Sequence, residues 1–235
     1  MAATRLPGKP LLKINNLSII SHVFKRAEEA NIGEVVVATD NQEILNDVVK
    51  NGGRVILTNK NHKTGTDRIY EAYEKLNIKN VDYILNLQGD EPNINKDDII
   101  KLNDFMINQD AQLGTLAAKI EDDKTFNNKN VVKVITDKKL EESNFPVALN
   151  FTRDNLSINY QNIYHHIGIY SYKVSVLEKF ISLDQTKNEK MNKLEQLRAL
   201  DNKMKINVAL ANSSPIGVDT EEDYLAIKKI MEYKI

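Results

Sequence analysis

Residues Asp82–Pro92 read DYILNLQGDEP. The stretch opens as an apolar run and turns polar at Gln88-Gly89-Asp90-Glu91. A short apolar run of this kind predicts a strand covered on both faces of a parallel sheet. Its polar end then lies where such sheets bind ligands, in the crevice beyond the carboxyl ends of the strands. The residues before it agree. SIISHVFKRAEEAN (Ser18–Asn31) sets Ile19, Ile20, Val23, Phe24, Ala27 and Ala30 on one helical face. EVVVATD (Glu34–Asp40) is a second buried strand, and Asp40 with Glu43 has capping-box spacing to open a helix to about Asn51. Gly52-Gly53 ends that helix, RVILT (Arg54–Thr58) forms a third strand, and a helix from Thr66 to Leu76 leads into Asp82. This alternation predicts an α/β fold with a doubly wound, mostly parallel sheet and helices on both faces.

Beyond Pro92 the pattern is less regular. TLAAKI (Thr115–Ile120), VVKVIT (Val131–Thr136), HHIGIYSY (His165–Tyr172) and KINVALA (Lys205–Ala211) read as strands. Val174–Ser182 and Lys187–Asn202 read as helices, as does Thr220–Lys234, with Thr220 and Asp223 at capping-box spacing. Asp137–Gln161 is polar with few signals. With no repeat or linker, residues 1–235 are expected to form one domain with a smaller lobe inserted near 120–165.

The net charge of −1 argues against counterion-displacing nucleic-acid binding. The absence of cysteine excludes disulfides, thiolate catalysis and cysteine zinc sites. No apolar run approaches the roughly 20 residues of a membrane span, and the N-terminus lacks a signal core. The expectation is a cytoplasmic protein without nucleic-acid or membrane partners.

Three segments carry candidate chemistry. In TRLPGKPLL (Thr4–Leu12), Arg5 offers a fork and Lys9 a point charge to phosphate oxygens, and Gly8 lets the backbone approach a ligand. The segment is not a P-loop, because GxxxxGK[ST] is absent. In LQGDEP, Asp90 at a strand end suits Mg²⁺, a cation that takes oxygen ligands from one or two carboxylates plus substrate phosphates. In GVDT (Gly217–Thr220), Thr220 is explained by capping and Asp219 is not, so Asp219 is the candidate second carboxylate. His165 and His166 are adjacent on a strand and point to opposite faces, which argues against a shared metal site. The same alternation puts His166, Gly168 and Tyr170 on one face. Glu195 and Gln196, in KLEQLR, fall on a helix.

Taken together, TRLPGKPL, ATD, HKTGTDR (His62–Arg68), LQGDEP, HIGIY, LEQLR and GVDT resemble, in order and spacing, the 3-deoxy-manno-octulosonate (Kdo) cytidylyltransferases. RLPGKPL and LQGDEP are specific to that family; CMP-sialic acid synthetases share its fold but carry a different first loop. The resemblance implies a mononucleotide-binding, Rossmann-like fold, a homodimer, and transfer of CMP from CTP to a Kdo-like sugar acid with loss of pyrophosphate. It implies that Thr4, Arg5 and Lys9 hold the CTP phosphates, with Gln88 by the nucleotide and Gly65, Thr66 and Arg68 near the cytidine. Asp90 and Asp219 would ligate Mg²⁺, and with Lys9 they form the expected catalytic set. His166, Tyr170, Glu195 and Gln196 would line the sugar-acid pocket, with His166 and Gln196 as donors to its carboxylate.

Two departures from the family pattern stand out. The apolar strand ending in Pro-Ala-Arg or Pro-Ser-Arg, which precedes the first loop in the family, is not seen before Thr4. Met1 is therefore expected to be an internal methionine of a longer protein, leaving an unpaired edge beside Val35–Thr39 or Tyr83–Leu87 and low stability. EESNFP (Glu141–Pro146) carries Asn144 where the family has Arg, which removes a charge and a fork. Two other readings compete: a synthetase for the 8-amino analogue or another nonulosonic acid, and a nucleotide-binding paralogue without turnover.

Overall fold

The computed structural model describes residues 6–154 and 162–232. A 3₁₀ turn at Lys9–Leu11 leads into β1 (Lys13–Ile14), β2 (Leu17–Ser18) and α1 (Ile19–Ala30). Next come β3 (Val37–Thr39), α2 (Gln42–Lys50), β4 (Val55–Leu57), α3 (Gly65–Leu76), β5 (Tyr83–Asn86) and α4 (Lys96–Asn108). The chain continues through β6 (Leu113–Ala118), α5 (Asp123–Asn127), β7 (Lys133–Thr136), β8 (Ala148–Thr152) and β9 (Ile163–Lys173). It finishes with α6 (Val174–Ile181), α7 (Lys187–Asn192), α8 (Leu197–Asp201), β10 (Asn207–Leu210) and α9 (Glu221–Glu232). Two compact units result. One joins Met1–Lys79, Leu87–Ile99 and Pro215–Ile235; the other joins Asn80–Asn86 and Ile100–Ser214.

In the first unit, β3 and β4 pair in parallel, Val37 opposite Val55 and Thr39 opposite Leu57. Thr58 N–H donates to Thr39 O at 2.8 Å and extends the ladder to both carboxyl ends. The other edge of β3 has no strand partner among the described residues. The α2 cap lies one residue later than the spacing of Asp40 and Glu43 predicts. Asn41 is extended (φ −111°, ψ 124°) and accepts the N–H groups of Glu43 and Ile44, while Asp40 is taken by Arg68. Thr64 and Asp67 form the reciprocal capping box of α3. Farther along α3, Glu71 accepts from Asn59 N–H, Lys75 and His62, fastening the loop after β4 to the helix. These bonds, Lys75 first and His62 second, outweigh burial and pull Glu71 down to about 2. An apolar cluster of Ile14, Ile19, Val218 and Ile227 joins α1, α9 and the segment before α9.

In the second unit a six-stranded sheet is built around β9. One edge of β9 pairs with β6; the other pairs with β7 at its beginning and with β5 at its end, all antiparallel. β10 runs parallel to β6 and β8 closes the far side against β7. The other edge of β5 has no strand partner among the described residues. β8 falls within the polar stretch that gave few sequence signals. It is an edge strand with Leu149 and Asn150 exposed, so its alternation is blurred. The helix expected over Lys187–Asn202 is two helices. Lys193 adopts φ 52°, which ends α7, and α8 begins after Gln196. A buried ion pair ties the two: Arg198 donates from Nε and Nη2 to Glu189 at 2.9 and 2.6 Å. The Arg198 guanidinium lies 4.6 Å over the Phe180 ring.

Two outcomes are expected. Glu189→Leu alone strips the buried Arg198 of its carboxylate and lowers stability by about 3–5 kcal/mol, whereas Glu189→Leu with Arg198→Met lies close to wild type; urea midpoints measure both. For Glu71, the folded value lies below the ordinary 4.5, so its stabilisation is complete above about pH 4.5 and is lost as pH falls toward 2. Glu71→Gln flattens that part of the profile in thermal melts taken from neutral pH downward.

Candidate active site

The first unit gathers three remote segments on one ammonium. Gly8 adopts φ 71°, a left-handed turn that glycine takes without a Cβ clash, and starts the 3₁₀ turn that sends Lys9 inward. Lys9 Nζ donates to Asp90 Oδ2 at 2.7 Å, to Asp219 Oδ1 at 3.1 Å and to the Val218 carbonyl at 2.8 Å. The Lys9 side chain is 14% exposed, against 24% for Asp90 and 45% for Asp219. Burial works against its charge, but the charge and hydrogen bond of Asp90, then those of Asp219, more than offset this and raise its pKa. The ammonium therefore stays charged at any working pH.

Local structure explains the convergence. Val218 N–H donates to Asp90 O at 2.9 Å and Ile216 N–H to Asn93 Oδ1 at 3.1 Å, which lays the segment before α9 along the turn after β5. Thr220 and Asp223 cap α9 reciprocally, so that cap leaves the Asp219 carboxylate for Lys9. Gly89 lies close to the end of the Ile20 side chain, which would have to shift to admit a larger residue. A Cβ there would stand 2.7 Å from Ile20 Cδ1. Gln88 beside it is exposed.

A second cluster occupies the carboxyl ends of β3 and β4. Arg68, on the first turn of α3, donates to Asp40 Oδ2 at 2.8 Å and to Thr58 Oγ1 at 2.6 Å. Gly65 is exposed and Thr66 is buried on the same turn. Thr4 and Arg5 lie outside the described residues. The four proposed sugar-pocket residues belong to the second unit. His166 packs edge-on to Phe151 at 5.0 Å and lies 5.4 Å from the Tyr170 ring. Tyr170 is raised well above the ordinary phenol value by burial, then by Tyr172 and Glu195. Glu195 is half-buried and Gln196 is buried in the turn between α7 and α8. His165 faces the other way, its Nδ1 2.7 Å from Ser214 Oγ. Asn144 is exposed next to a buried Phe145 at φ 67°.

Sequence reasoning missed Asp40 as the partner of Arg68 and Thr115 as the partner of His166. Asp40 carries a signal, because a carboxylate ending a strand beside a ligand crevice is more than a cap. Thr115 carries none, since only strand register brings it to His166.

The donor set suits a hard divalent cation. Asp90 and Asp219 each bring a carboxylate oxygen to one point, already shared with a cation. Among the described residues no group of three or more His, Cys, Asp or Glu side chains forms a closed cage. Two carboxylates with the remaining positions filled by phosphate oxygens and water is the usual manner of Mg²⁺.

Similarity to known proteins runs over nearly the whole chain. The family profile described as Cytidylyltransferase matches residues 1–206. The 3-deoxy-manno-octulosonate cytidylyltransferase of Rhodopseudomonas palustris (strain BisB18) is 43% identical over 238 residues, covering 99% of this chain and 95% of the relative. That of Thermodesulfovibrio yellowstonii is 42% identical, covering 97% of this chain and 94% of the relative. A solved CMP:2-keto-3-deoxy-manno-octonic acid synthetase, complexed with CTP, superposes with a TM-score of 0.87 at 32% identity, over 99% of this chain and 95% of that one. An apo-UDP-glucose pyrophosphorylase, at TM-score 0.72 and 12% identity, covers 98% of this chain and 94% of its own and shares the fold alone. No described helix is long and apolar enough to cross a membrane. The chain belongs to the cytidylyltransferase family of nucleotidyltransferases, and within it to the 3-deoxy-manno-octulosonate cytidylyltransferases.

Proposed function

We propose that this chain transfers CMP from CTP to Kdo and releases pyrophosphate, with Mg²⁺ as its cation. The observation that carries the reading is the meeting of Lys9 with Asp90 and Asp219 in a member of this family. The anomeric hydroxyl oxygen of the sugar acid attacks the α-phosphorus. The bond from that phosphorus to the bridging oxygen breaks, pyrophosphate leaves, and the hydroxyl proton passes to solvent. Charge builds on the five-coordinate phosphorus and the departing pyrophosphate, and preorganised cations offset it. Lys9 is such a cation, held in place before substrate arrives by Asp90, Asp219 and the Val218 carbonyl. Thr4 and Arg5 add to the phosphate grip. Asp90 and Asp219 would hold the metal, which when bound would supply positive charge to offset that of the phosphates.

Arg68 is fixed by Asp40 and Thr58, and with Gly65, Thr66 and Gln88 it shapes the nucleoside end. His166, Tyr170, Glu195 and Gln196 receive the sugar acid. The same reading makes the chain a cytoplasmic homodimer whose product serves lipopolysaccharide biosynthesis.

Pyrophosphate release from CTP and Mg²⁺, followed with a panel of sugar acids, tests the reaction. Kdo is expected to support release above the 8-amino analogue and other nonulosonic acids. CTP binding without release from any of them would favour the paralogue without turnover. Asp90→Asn is expected to lower kcat by about a hundredfold or more, the scale of losing one preorganised charge at a transition state, while the protein stays folded at the assay temperature with a lowered melting temperature. Near wild-type turnover in that variant would overturn the metal-ligand role.

A further inference from the structure

His166 lies within the proposed sugar-acid pocket, and its ring nitrogens are not equivalent. Nε2 stands 3.0 Å from Thr115 Oγ1. The Thr115 hydroxyl has a single proton, and its shortest contact, 2.6 Å, is to the Ile169 carbonyl, which can only accept. The Ile167 carbonyl, at 3.3 Å, accepts as well. With its proton committed to a carbonyl, Thr115 has only lone pairs left for His166. Nε2 must therefore be the protonated nitrogen, and Nδ1 carries a lone pair. Nδ1 makes no hydrogen bond among the described residues, on a ring that is 7% exposed.

The ring is also held in orientation. Phe151 packs against it at 84° and Tyr170 at 44°. The Thr115 contact depends on strand register. β6 pairs with β9 as Thr115 opposite Tyr170 and Leu116 opposite Ile167, so β9 slips between them and presents the Ile167 and Ile169 carbonyls to one hydroxyl. The charged form of the ring is disfavoured by burial, then by His165 and Arg153, which brings its pKa to about 3. A neutral ring offers no cation to a carboxylate.

We propose that Thr115 fixes His166 as the neutral Nε2–H tautomer, so that His166 accepts a hydrogen bond from a sugar hydroxyl and does not donate to the sugar carboxylate. The proposal rests on the sugar-acid reading of this pocket and reverses the donor role expected of His166. Thr115 is the positioning residue, and His166 is a specificity residue for one hydroxyl. The carboxylate then takes its donors elsewhere, with the Gln196 amide as the candidate.

Nitrogen-15 NMR of the histidine-labelled protein tests the tautomer. The expected spectrum has His166 Nε2 in the protonated range and Nδ1 in the unprotonated range, unchanged as pH is lowered from neutral through the ordinary histidine pKa. The opposite assignment, or titration near that pKa, would overturn the proposal. Kinetics test the consequence. Thr115→Val is expected to raise KM for Kdo about tenfold, the scale of one hydrogen bond, with KM for CTP unchanged and with recovery in Thr115→Ser. A merely structural loss would lower kcat without this split and would count against the proposal. Among single-deoxy analogues of the sugar acid, one is expected to bind about tenfold worse than Kdo to wild type and equally well to His166→Ala. If no analogue behaves this way, the hydroxyl assignment fails. Should Thr115→Val not fold, the spectrum and the analogue panel decide, since both keep Thr115. The spectrum needs no turnover. A wrong substrate class therefore appears as absent pyrophosphate release beside an intact tautomer, and a wrong tautomer appears in the spectrum beside persisting release.

Discussion

The contact of Lys9 with Asp90 and Asp219 is the constraint that holds the first unit's candidate site together. It joins the chain's opening loop, the turn after β5 and the entry to α9, segments far apart in sequence. Two carboxylates this close would repel each other without a cation between them. The ammonium removes that repulsion, and the Val218 carbonyl satisfies a third donor. The arrangement is polar, part-buried and satisfied, so it holds its geometry before any substrate binds. Preorganisation of this kind is what transition-state charge stabilisation requires.

Apolar packing supports that polar junction. Val218, one residue before Asp219, is fully buried with Ile14, Ile19 and Ile227. Asp219 is therefore carried by a backbone anchored on its neighbour, and the capping box of Thr220 and Asp223 orients the peptide that follows. In the second unit, one buried ion pair joins neighbouring helices. Arg198 and Glu189 meet as fork and carboxylate and close the turn that carries Glu195 and Gln196. Such a pair adds little net stability over apolar residues of the same volume. Its effect is to set the register of α7 against α8. The β3 and β5 edges are the opposite case, with backbone donors and acceptors that no described strand pairs.

Much of this was legible in the residues. The apolar-to-polar change at Leu87–Asp90 marked the end of β5, where the candidate carboxylate Asp90 follows. Helices α1, α3 and α9 begin within one residue of where the sequence set them. Asp219 could be singled out because capping explained Thr220 and left it over. Each misjudged element has a physical cause. Asp40 and Asn41 are both good caps, and only the reach of Arg68 to Asp40 decides between them. The break at Lys193 needs a left-handed residue that no glycine announces. The strand β8 lies at a sheet edge, where one-sided burial weakens alternation.

Composition, periodicity and motif spacing by themselves determined the α/β class, the family resemblance and the identity of the charged groups at the strand ends. Those depend on local preference and on residue chemistry, and both are written in the order of the residues. Tertiary structure alone decided that Lys9 bridges Asp90 and Asp219, that Arg68 spans two strand ends, and that His166 meets Thr115. Each depends on distance between segments remote in sequence, and strand register or a shared apolar cluster sets that distance. The state of His166 shows this most clearly. Its proton follows from a hydroxyl on another strand, which is itself committed to a carbonyl exposed by a slip in β9.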